Sequence, residues 1–295
     1  MRQTLLVSIS LLVLTACDRL ASIPYSPPQT PENWLQIQSF INFKIGSAEI
    51  ILVQPSSSIL VYFLGIITIG VGLYFFRIHG DHQSRKWWGI ALLLWGLGAL
   101  FAGTSYQAFS YEIKCSGQTL CSWTSWWEII YLILSVASID SMLISAAYSS
   151  CGQKYRKVLQ AYAFMNIAMY SIIVIIGVVA LNKFLISFEL LLIVTAPTIL
   201  FLFILTGWRY FKYRQGMDFA LWITWSWLGV TIAAYFTYLV LGFTEYLWER
   251  GFWFSENDVL HIGLIGWMIF IAVKVAKQIT DNPNQAQFST SDKAP

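Results

Sequence analysis

Few side chains in this 295-residue chain are equipped for chemistry, and most of them fall near one depth. His261, one of three histidines, stands in Asn257-Asp258-Val259-Leu260-His261, where the last long apolar run begins. Tyr106 and Gln107 end an earlier apolar run, Glu128 opens the next, and Glu189 lies near the start of another. An imidazole with carboxylates in reach can hold a metal, move a proton or bind a polar head group. Asn257 and Asp258 precede His261 by four and three residues, so on a helix either can orient its ring. Together these residues predict one outward-facing pocket of Gln107, Glu128, His261 and Glu189, rimmed by Tyr106, Asn257 and Asp258. Asp140 is different. It lies about 21 Å down its run at a helical rise of ~1.5 Å per residue, and its expected partners are hydroxyls or Asn166. His79 and His82 have His-x-x-His spacing, but a polar loop enforces little metal geometry.

The elements that must carry these groups are read from composition. The chain is 57% hydrophobic, 17% aromatic and 11% charged, whereas soluble domains are about 25% charged. That profile is a membrane protein's. A net charge of +3 without acidic or basic blocks gives nucleic acid nothing to bind. Seven apolar runs of spanning length lie at 58–77, 87–109, 126–148, 159–181, 185–208, 219–242 and 258–277. The predicted fold is therefore all-α, a seven-transmembrane-helix bundle. Basic residues fix its sense by the positive-inside rule. With the N-terminus out, alternate loops and the tail hold 12 of the 18 Lys and Arg, from Arg77 to Lys293. The outer segments hold Arg19, Lys44, Lys114, Lys183 and Arg250, and Arg2 belongs to the leader. The reading is N-out, C-in.

Residues 1–16 have a basic start and an apolar stretch too short to span a bilayer, which needs roughly 20 residues, and so read as a signal peptide. Residues 17–57 follow as an extracytoplasmic tether, extended by Pro24, Pro27, Pro28 and Pro31. Within it, residues 34–53 fit either a short hairpin or an interfacial helix. Residues 58–277 form the helical domain, and 278–295 a disordered cytoplasmic tail. Cys115 and Cys121 lie in an outer loop, where an oxidising compartment favours a disulfide ring. Gly96, Gly98, Ala99, Ala102 and Gly103 give the second span a small face for close packing, and Ser138, Ser141 and Ser145 do so for the third.

Two resemblances add to this reading. Leu14-Thr15-Ala16-Cys17 resembles a bacterial lipobox, which implies cleavage before Cys17 and its acylation, and a polytopic chain of this kind is expected to stay in the inner membrane. The seven-span plan, with polar positions late in span two, at the start of span three and in span seven, resembles the alkaline ceramidase-like superfamily, adiponectin-receptor-type proteins included. That superfamily holds zinc through two histidines in the last span, one ending the second, and an aspartate opening the third. The matching places here read Gln107, Glu128, His261 and Ile265, with Gly103 where an assisting serine would stand. The resemblance thus implies a member that has lost its metal, with His261 the one remaining, weak zinc ligand. No cofactor is expected.

Three functions are compatible with these residues. The first is a protein that binds a lipid or small amphiphile from the outer side without catalysis, its partners being membrane lipids. The second is a ceramidase-like amide hydrolase, using residual metal or a His261–Glu128 acid–base pair. The third is a proton-coupled carrier using Asp140.

Overall fold

The computed structural model describes residues 19–46 and 48–282. The expected signal peptide, the lipidation candidate Cys17 and residues 283–295 of the expected tail lie outside the described residues. Among those described, seven helices are long and apolar enough to cross a membrane. They are α2 (Pro55–Arg77), α3 (Gln83–Ala102), α5 (Trp126–Ser150), α6 (Gln153–Ala180), α7 (Phe188–Tyr213), α8 (Gly216–Val240) and α10 (Glu256–Phe270). All seven predicted runs match, with ends shifted by a few residues. The chain is an all-α seven-helix membrane bundle. The end bearing Arg77, Arg85, Lys157 and Arg209 is called inner below, and the opposite end outer.

The helix α5 is the centre. Of its apolar stretch 67% is buried, against 50% or less for the others. It packs on α3, α6 and α7, while α2 and α8 flank α10. The contact of α2 with α3 is made by glycines. A methyl added at Gly96 would come within 2.8 Å of the Gly65 carbonyl oxygen, and methyls added at Gly72 and Gly89 would each come within 3.1 Å of the other's carbonyl oxygen. Gly98, predicted on the same face, meets nothing closer than 3.6 Å. Gly103 lies against Val61. Trp88, near the start of α3, belongs to the core and is stacked between Phe75 and Trp225.

Two helices depart from α geometry. Beyond Ala102, α3 continues through a π turn, Gly103–Ala108, and α10 continues through a π turn at Ile271–Val275 into Ala276–Gln278. A π turn adds a residue per turn, so Ser105, Tyr106 and Gln107 face directions that a straight α-helix would not give them.

The outer segment is more than a tether. Helix α1 (Pro31–Gln36) is capped by the Thr30 hydroxyl, and β1 (Phe40–Ile45) pairs antiparallel with β2 (Ala48–Val53), which settles the open choice in favour of a hairpin. Leu20 and Ile23 are buried against Ile129 and Leu132. The Trp123 amide donates to the Ile23 carbonyl at 2.7 Å, and the Cys121 amide to Gln29 at 2.9 Å. Residues 19–53 therefore dock as a cap over the loop that holds the Cys115–Cys121 disulfide, which is present. At the inner end, the start of the expected disordered tail is ordered. Asp281 accepts from the Gln83 and Ser84 amides, capping α3 at 2.9 and 2.8 Å, and the Asn282 amide donates to Tyr148.

The glycine contact gives a direct test. Gly96→Ala forces a methyl onto the Gly65 backbone and costs about 1–3 kcal/mol, as overpacking does. Gly98→Ala leaves stability unchanged or slightly raised. Thermal unfolding of the two variants in one detergent separates them.

Candidate functional site

Six helices enclose a cavity of about 180 Å³ in the outer half of the bundle. Val61 of α2, Ala99 of α3, Ile139 of α5, Leu192 of α7, Leu228 of α8 and Leu264 of α10 each contribute to its wall. Along α7 it runs from Phe188 to Ile199, which is about 16 Å at helical rise. The serine and threonine hydroxyls on the wall are spent within their own helices. Ser135 donates to the Tyr131 carbonyl at 2.9 Å and Thr195 to Leu191 at 2.8 Å. His261 is the exception. It is 6% exposed and on the wall, and its Nδ1 is buried with no hydrogen-bond partner. A buried polar atom left unpaired costs about 1–3 kcal/mol, so it marks a place where a partner belongs.

Two wall residues of the cavity, one on α7 and one on α8, reach the surface of the bundle. These helices meet at the inner half, where Gly207 lies under Trp222 and Tyr210 packs on Phe219 at 4.9 Å between ring centres. In the outer half they carry Phe188 and Phe236. Both line the cavity, and they are 38% and 41% exposed. A wall residue that is also exposed is a mouth residue.

The structure separates the residues that share a depth in the sequence. Glu128 does not face this cavity. Its Oε1 accepts from Lys114 Nζ at 2.6 Å and from the Ser105 hydroxyl at 2.8 Å, and Ser105 in turn meets Ser125. Lys114 and Glu128 are both buried, with side chains 4% and 3% exposed. Lys114, at the end of the short helix α4 (Ser110–Lys114), is missing from the residues picked out by sequence, where it counts only as an outer-loop charge. Its sequence signal is its place beside Cys115, in the loop that the disulfide fixes. Burial works against the Lys114 charge, but the Glu128 carboxylate outweighs burial and, with Tyr25, holds the ammonium above the ordinary lysine range. Tyr106 lies beneath that ammonium, 5.1 Å from ring centre to Nζ. Gln107 is buried with its carbonyl oxygen unpartnered, and it is not on the cavity wall.

Other predicted members have different work. Asp258 is fully buried and closes a capping box with Ser255 at the start of α10. It also accepts from the Ser57 hydroxyl at 2.9 Å and from Ser56 at 3.2 Å, tying α10 to α2. Those four contacts consume it, so it does not orient His261. Asn257 is half-buried and, like Asp258, off the cavity wall. Glu189 is exposed, next to the mouth residue Phe188. Asp140 accepts from Asn166 at 2.9 Å, as the sequence predicts, and its other oxygen is buried without a partner. In the inner loop, His79 Nδ1 meets the Phe76 carbonyl and His82 Nδ1 accepts from the Asp281 amide, so each imidazole has a backbone partner. No group of three His, Cys, Asp or Glu side chains placed to hold a metal ion occurs among the described residues.

The buried ion pair makes two predictions. Lys114→Met strands Glu128 and costs about 3–5 kcal/mol, and a second change, Glu128→Leu, recovers most of that loss. Because the folded-state pKa of Lys114 is raised, its stabilisation is complete below the unfolded lysine value of about 10.4. That stabilisation disappears as pH rises through the higher folded value. Denaturation of wild type and Lys114→Met against pH should therefore converge only in strong alkali.

Comparison with known proteins gives no match among curated proteins and none among solved structures. A family model does match, over residues 58–280, which is the helical domain without the outer cap. The chain belongs to that family, described as a family of unknown function, DUF6962.

Proposed function

We propose that this multi-pass membrane protein is a binding protein that takes the apolar chain of a lipid or small amphiphile from the outer leaflet. The same reading assigns it to a bacterial inner membrane with its N-terminus outside, on the strength of the lipobox-like Leu14-Thr15-Ala16-Cys17 and the basic inner loops. One observation carries the proposal: a largely apolar cavity whose exposed wall residues are Phe188 and Phe236, with a buried, unpartnered polar atom, His261 Nδ1, on its wall. Ligand sites are typically apolar concavities with few polar groups. Lateral access suits a ligand already dissolved in the bilayer.

The hydrolase alternative loses its acid–base pair. Glu128 is held by Lys114 and lies off the wall on which His261 sits. The carrier alternative keeps one supporting observation, the buried, unpartnered oxygen of Asp140. Intramembrane carboxylates of this kind serve as proton relays. For that reading, Asp140→Asn must abolish uptake of the cargo, and unchanged transport removes it.

The binding reading is tested by native mass spectrometry of the protein released from nanodiscs. A bound chain is expected on wild type and on Ile172→Trp, which faces lipid at 57% exposure. It should be missing from Leu264→Trp and from Ala102→Phe, which fill the cavity from opposite sides. Equal occupancy of all four proteins contradicts the proposal.

A further inference from the structure

The mouth of the cavity is acidic. Glu189 directly follows Phe188, and Glu256 lies one turn of α10 before the wall residue Leu260. The charges of both carboxylates act on the hydroxyl of Tyr235, itself a wall residue. Glu256 is steadied by the Thr244 hydroxyl at 2.7 Å. Among the described residues, no Lys or Arg lines the cavity. The nearby outer cations are engaged elsewhere: Lys114 with Glu128 at 2.6 Å, Lys183 with the Pro24 carbonyl at 2.7 Å, and Arg250 stacked 3.5 Å from the Tyr246 ring centre. The mouth also offers aromatic faces at Phe188, Tyr235 and Phe236, which attract cations.

From this charge pattern we infer that the cavity selects a single-chain amphiphile with an ammonium head group. The inference rests on the binding reading above and names its ligand class. An anionic head would sit beside two like charges with no counter-ion. A head with N–H donors meets Glu189 and Glu256 at the mouth, and a donor carried deeper finds the free Nδ1 of His261. At about 180 Å³, on the order of six times the ~30 Å³ share of one water, the cavity has room for the end of a single alkyl chain.

The test uses three probes with one tail, nonylammonium, 1-nonanol and nonanoate, added to the protein in phosphatidylcholine nanodiscs. Affinity is read from the ligand-dependent rise in melting temperature, corrected for partition into empty nanodiscs. The order expected is ammonium, then alcohol, then carboxylate. In Glu189→Gln/Glu256→Gln the ammonium affinity falls about fivefold, and that for nonanol stays the same. Equal affinities, a preference for nonanoate, or an ammonium preference that survives the double substitution each overturn the head-group inference and leave the cavity reading standing. If no probe binds and Leu264→Trp behaves as wild type does, the cavity reading itself falls, and this inference with it.

Discussion

A polar stripe on α5 cannot face lipid, and the arrangement of the bundle follows from that constraint. The bilayer core offers no hydrogen-bond partners, so every polar group on a spanning helix must be satisfied by protein. Ser138 donates to the Ala91 carbonyl at 2.8 Å and Ser145 to Ser84 at 2.7 Å, which pins α5 to α3. Asp140 and Asn166 join α5 to α6 at 2.9 Å. Glu128 and Lys114 join its outer end to the disulfide loop. With α5 held inside, the other helices are apolar enough to meet lipid, and α7 and α8 pack together at their inner halves. Their outer halves contribute Phe188 and Phe236 to the cavity wall.

Most of the charged groups in this bundle are structural. Glu128 neutralises a buried lysine, Asp258 caps α10 and grips α2, Asp281 caps α3, and Asp218 pairs with Arg209 at 2.8 Å. Once these are accounted for, the cavity wall holds one imidazole and a few hydroxyls among apolar side chains, and its mouth two carboxylates. That is a small set of polar groups for catalysis and a sufficient one for holding an amphiphile in one orientation.

Much of the fold was legible in the sequence, and much of the site was not. The spans could be read because a bilayer demands long apolar runs, and basic loops and apolar length are local properties. The Cys115–Cys121 bridge and the Asp140–Asn166 bond could be read because each depends on loop position or depth alone. Facing could not be read. Gln107, Glu128 and His261 do lie near the outer end, but a common depth does not imply a common face. The π turn at Gly103–Ala108 rotates Gln107 out of α-helical phase, and Glu128 is drawn toward Lys114 by a loop whose path the sequence does not give. The cavity itself is lined by Leu, Ile and Phe, the same residues that pack elsewhere, so nothing in the sequence distinguishes its wall from core. The outer cap was less legible. Its prolines read as an extended tether, whereas Pro31 opens α1 and residues 40–53 pair as a hairpin, and the burial of Leu20 and Ile23 depends on a surface that exists only once α5 is in place.

The central claim is that an apolar chain enters between α7 and α8 and reaches the deep end of the cavity. The most direct measurement is photolabelling in nanodiscs by a long-chain alcohol with a diazirine at its tail end, followed by peptide mapping. Labels on Ile139, Ile199 and Leu228, which line the cavity, are the predicted result. Labels confined to lipid-facing residues such as Ile172 and Val179, which lie off its wall, would contradict it.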